Sequence, residues 1–117
     1  MIVLDTKKII INPYGLVVTP LMMGRLRGTV YTFEKIGAVL PMHKHTDIDV
    51  HITVVAKGRF RIHGPEIGDN EYEEGTVIDW DVGVDHEFIS LTEGAKLVHI
   101  LKNTVSEILH EHHRYRT

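Results

Sequence analysis

Residues 37–58 read GAVLPMHKHTDIDVHITVVAKG. His43, His45 and His51 fall within nine residues, between two glycines and directly ahead of an apolar run of strand character. Imidazoles this close together point to a metal, because buried imidazoles are costly without partners. Neutral imidazole is a ligand for zinc, iron, copper and nickel. His43 and His45 are two apart, so on a strand they project from one face and address one point. His51 opens the run HITVVA (51–56) and is expected to meet them from the neighbouring strand, across a turn.

Downstream, Lys57-Gly58 predicts a tight turn. RFRIH (59–63) alternates cleanly, with Phe60 and Ile62 inward and Arg59, Arg61 and His63 outward. GPEIGDNEYEEG (64–75) has turn residues throughout and is expected as a polar loop. TVIDWD (76–81), HEFISL (86–91) and KLVHIL (96–101) are three more strands, parted by turns at Gly83 and at Glu93-Gly94.

Upstream, IVL and III flank a polar DTKK, and Pro13 and Gly15 mark a turn. The strand 16–21 contains Pro20, which suits an edge. RLRGTVYTFEKI (25–36) places Arg25, Arg27, Thr29, Tyr31 and Phe33 on one face, and its Gly28 predicts a bulge or a close backbone approach. The tail, SEILHEHHRYR, predicts either a short helix capped by Ser106 or a frayed polar end. No helical period occurs in the first hundred residues. Many short strands with frequent turns predict an all-β antiparallel sandwich or barrel.

A chain of 117 residues suits one domain spanning 1–117. It has no cysteine, which excludes disulfides and thiolate ligands, so a transition metal must take nitrogen and oxygen donors. The net charge is −3 and the basic residues are scattered, which argues against nucleic acid. No apolar stretch is long enough to span a bilayer, and the expected location is the cytoplasm.

The two histidine-bearing stretches together resemble the cupin family. Its first motif is a glycine, five residues, H-x-H, a spacer, usually a glutamate, six residues and a glycine. Gly37, His43, His45 and Gly58 match that frame, and His51 stands in the region of the glutamate. Gly75, Asp81, Gly83, His86 and Ser90 (75–90) fall at the spacing of the second motif, with Asp81 for its usual proline and Ser90 for its usual asparagine. The resemblance implies a jelly-roll barrel that binds a divalent metal (iron, zinc, manganese or nickel) through His43, His45, His86 and, in place of glutamate, His51. Asp49 or Asp47 is the alternative fourth ligand.

An all-imidazole set is neutral and keeps the full charge of the cation, which favours an anionic oxygen ligand such as a keto acid or enolate. It leaves open positions for Lewis-acid or dioxygen chemistry. Three readings stand: a non-haem dioxygenase-like enzyme acting on a small oxygen-rich molecule, a metal-dependent isomerase or lyase, and a non-catalytic sensor or carrier. Strand parity nominates Tyr31, Phe60, Trp80 and Phe88 as pocket residues. His63 is assigned to a solvated face, and His99 to a structural position in its sheet. HITVVA, apolar on both faces, predicts a homodimer.

Overall fold

The structure, a computed structural model, describes residues 1, 10–12, 15–23, 26–44 and 50–102. The first apolar burst, His45, Asp47, Asp49 and the expected C-terminal helix lie outside the described residues. Ten strands occur among the described residues: β1 (Ile10–Asn12), β2 (Leu16–Met23), β3 (Leu26–Phe33), β4 (Val39–His43), β5 (Val50–Lys57), β6 (Arg59–Gly64), β7 (Gly68–Glu73), β8 (Val77–Asp79), β9 (His86–Ser90) and β10 (Ala95–Lys102).

They form two antiparallel sheets. The larger has the order β1-β2-β3-β10-β5-β8 and the smaller β4-β9-β6-β7. From β3 onward the chain crosses repeatedly between them, the path of a jelly roll. The Lys57-Gly58 turn is one of these corners: β5 lies in the larger sheet and β6, one residue later, in the smaller. Gly58 has φ +77°, and a Cβ there would lie 2.1 Å from Thr92 Oγ1 and 3.0 Å from the Ala95 Cβ. Backbone geometry and close approach therefore both demand glycine.

Alternation decides what lies between the sheets. Ala95, Leu97 and His99 of β10 are buried, as are His51, Thr53 and Val55 of β5 and Phe60 and Ile62 of β6. Phe33 and Phe60, from opposite sheets, meet edge to face at 4.8 Å. Leu16, Val55, Phe88 and Leu97 fill the space around them. Registers stack this interior in levels. Ala95 opposite Phe33, and Leu97 opposite Val55 and Tyr31, make an apolar end. His99 opposite Thr53 and Thr29, and Leu101 opposite His51 and Arg27, make a polar one.

Three expectations are corrected. Residues 68–73, expected within a loop, form β7. This edge strand has little apolar alternation to announce it. Its ladder with β6 runs from Arg59–Glu73 to Gly64–Gly68, and it is laced on the exposed side by Arg59 to Glu71 and by Arg61 to Asp69 (2.7 and 2.5 Å). The Arg61 hydrogen bond and charge hold the Asp69 carboxyl below its ordinary pKa. Gly28 makes no bulge: β3 pairs with β2 and β10 without a break, and the irregularities fall between Lys96 and Leu97 and between Leu40 and His43. β5 is also not the neighbour of β4, so His51 arrives from the facing sheet.

Phe60 is fully buried at the contact between the sheets. Phe60→Ala is expected to cost about 3–5 kcal/mol, read as a lower midpoint in urea unfolding.

Candidate metal centre

β4 and β9 pair so that His43 stands directly opposite His86, after a register shift that begins at Leu40. Their ring centroids are 4.5 Å apart. Each ring is held in the same way. His43 Nδ1–H donates to the carbonyl of Pro41 (2.7 Å), and His86 Nδ1–H donates to the carbonyl of Val84 (3.0 Å). A carbonyl only accepts, so both imidazoles carry a proton on Nδ1, which in the neutral ring leaves Nε2 as the atom that can ligate. A backbone carbonyl on the second nitrogen is the arrangement that orients metal-ligating histidines.

His51, at the start of β5, enters from the opposite sheet, its ring 5.4 Å from His86. Beyond it lies His99, which the sequence reading treats as structural. Its ring is 5.1 Å from His51 and 4.8 Å from Tyr31. The order His43, His86, His51, His99, Tyr31 is a row of rings crossing the barrel from one sheet to the other. Nε2 of His86, His51 and His99 are all buried. The sequence could not place His99 beside this row, because one histidine between leucines on a strand looks the same whether its face meets a core or a site. The signal available was parity: His99 is an even step from Leu97 and Leu101.

Trp80 braces the row. Its indole stacks on His86 (4.2 Å between centroids, 23° between planes), and its Nε1–H donates to Thr53 Oγ1 (2.8 Å). Trp80 also lines a cavity of about 190 Å³ with Ile62, Ile67, Tyr72, Ile78 and Val84. Of the other nominated pocket residues, Tyr31 contacts His99, Phe88 lies 5.4 Å from His86 and 5.5 Å from His99, and Phe60 packs in the apolar core. Burial pushes the Tyr31 phenol above its ordinary pKa, against a smaller opposing effect of its hydrogen bond with Thr29. Glu87, next to His86, points to the outer face, where it accepts from the Met42 backbone N–H (3.2 Å) and pairs with His63 Nε2 (2.7 Å).

Among the described residues, no group of three or more His, Asp or Glu side chains is arranged to hold a metal ion. His43 and His86 fit as two ligands, by ring separation and by tautomer. A complete set needs a further donor: His51, though described, does not complete such a group with His43 and His86, and the other nominated candidates, His45, Asp47 and Asp49, lie outside the described residues.

No protein-family model and no curated protein matches the sequence. Solved structures do match the fold. KdgF from a Halomonas species superposes with a TM-score of 0.72 at 16% identity, over 87% of this chain and 92% of that one. An RmlC-like cupin from Shewanella frigidimarina gives 0.70 at 20% identity, over 88% of each chain. A predicted oxalate decarboxylase from Thermotoga maritima gives 0.65 at 16% identity, over 76% and 81%. The fold is that of a small cupin, as the spacing of the histidine motifs implies.

Trp80 is the single tryptophan and touches His86. Addition of Co²⁺ is expected to quench its emission saturably. In His86→Ala the saturable phase disappears, leaving the weak collisional quenching of an indole.

Proposed function

We propose that this chain is a metal-binding cupin, one unit over its 117 residues, that acts on a small oxygen-rich molecule with dioxygenase-like chemistry. The observation that carries the reading is the cross-strand pair His43–His86, each imidazole pinned through Nδ1 to the carbonyl two residues earlier. Two such imidazoles, set the same way on adjacent strands, are prepared for one divalent cation, with His45 and His51 as the further nominated donors. The bound metal would polarise an oxygen ligand or activate dioxygen. The protein's part is to orient His43 and His86 through their Nδ1 hydrogen bonds, to hold His86 against Trp80, and to exclude water from the buried side of the row.

A second reading, a non-catalytic carrier or sensor, is favoured by one observation. Glu87, the carboxylate next to a nominated ligand, is committed to His63 and Met42 on the outer face. It is therefore not placed as a general acid or base.

Elemental analysis of protein purified without a metal-binding tag tests both readings. Near-stoichiometric metal is expected in the parent, with affinity reduced at least about 10–100-fold in His86→Ala. An absence of metal after anaerobic reconstitution with iron, zinc and manganese would overturn the proposal. Iron together with dioxygen consumption on a keto acid selects the enzyme. Metal with tight ligand binding and no turnover selects the carrier.

The outer face of the larger sheet carries Val30, Ile52, Val54, Val98 and Ile100 in adjoining registers, extended by exposed Val77. A two-fold contact needs only one such self-complementary face, and a second copy of the chain is proposed to cover it. Light scattering is expected to give twice the 13.3 kDa chain mass, and Val54→Lys is expected to give the monomer.

A further inference from the structure

β3 and β10 set three polar side chains, Arg27, Tyr31 and His99, along the wall at the far end of the row from His43, and none of them is a nominated metal ligand. On β3, Phe33 is fully buried and Tyr31 packs against the core, so the same alternation turns Arg27 inward. Arg27 stands opposite Leu101, and Leu101 opposite His51, which puts Arg27 and His51 on one level of the barrel. His99 stands opposite Thr29, one step further in and diagonal to both Arg27 and Tyr31. Arg27 is half-buried.

A guanidinium, a phenol and an imidazole gathered on one interior wall form a set of hydrogen-bond donors. The planar fork of a guanidinium matches a carboxylate bidentately. Two strand spacings, about 10 Å, separate the Arg27 and His51 backbones. An arginine side chain and a three-carbon acid together bridge that distance.

We propose that Arg27, supported by Tyr31 and His99, is the carboxylate-recognition group of this site, and that the ligand is a small oxo or hydroxy acid. Its carboxylate meets the guanidinium while its second oxygen faces the imidazole row. This rests on the metal reading above for the position of that second oxygen. Tyr31 suits the role because a neutral phenol can donate a hydrogen bond to a carboxylate. An acid without a second oxygen would meet the wall but not the row, and a neutral amide would lose the guanidinium.

The test is calorimetric titration of pyruvate, and of the neutral analogue pyruvamide, into metal-loaded and metal-stripped parent, Arg27→Gln, Arg27→Lys and Tyr31→Phe proteins. Metal content is measured in each. Arg27→Gln is expected to weaken pyruvate about 10–100-fold, the scale of one charge-assisted hydrogen bond. Its metal content and its affinity for pyruvamide are expected to stay as in the parent. Arg27→Lys is expected to recover part of the loss, as removal of a merely structural residue would not. Equal pyruvate affinity in parent and Arg27→Gln overturns the proposal while leaving the metal reading intact. A parent that holds no metal, yet binds pyruvate and loses it in Arg27→Gln, refutes the metal reading and retains the arginine's role. A parent that binds neither metal nor pyruvate refutes both.

Discussion

The register between β4 and β9 is the constraint on which the site depends. It sets His43 opposite His86. Side chains alternate along a strand, so a slip of one residue would turn one of the two rings to the outer face. The irregularity between Leu40 and His43 brings the end of β4 into that pairing after Leu40 has paired with Phe88. Phe88 is fully buried and Leu40 packs against the core. Burial of this apolar pair anchors the strands, and the bulge then adjusts the last residues, where the imidazoles lie.

The larger sheet answers with a complementary face. β10 lies between β3 and β5, so residues distant in sequence (Arg27, Tyr31, His51, His99) share one interior wall. The division into an apolar and a polar end follows from the order of residues along each strand. On β10, Ala95 and Leu97 precede His99; on β5, which runs antiparallel, His51 and Thr53 precede Val55. Antiparallel pairing therefore places like with like at each end. Stability comes mostly from the apolar end, where Phe33 and Phe60 join the sheets. The polar end carries the row of rings, with Trp80 linking the two by its contacts to Phe88 and His86.

Much of the fold was legible because its signals are local. Period-two alternation located β6, β9 and β10, and glycines marked the corners. Glycine-framed spacings singled out His43 and His86, and the structure places these two together. β7 escaped because its pairing is driven by cross-strand partners, Arg59 with Glu71 and Arg61 with Asp69. Nothing in residues 68–73 taken alone shows that those partners exist.

Residue order by itself determined the alternating strands, the two glycine-framed histidine stretches, and a donor set limited to nitrogen and oxygen. Each of these depends on neighbours along the chain or on the chemistry of single side chains. Tertiary structure alone decided that His51 comes from the facing sheet and that His99 and Tyr31 continue the row. It also decided that Arg27 shares a level with His51, and that Glu87 turns outward to His63. These placements depend on which strands pair and in what register. Pairing is chosen by burial of the whole core, so no stretch read separately contains it.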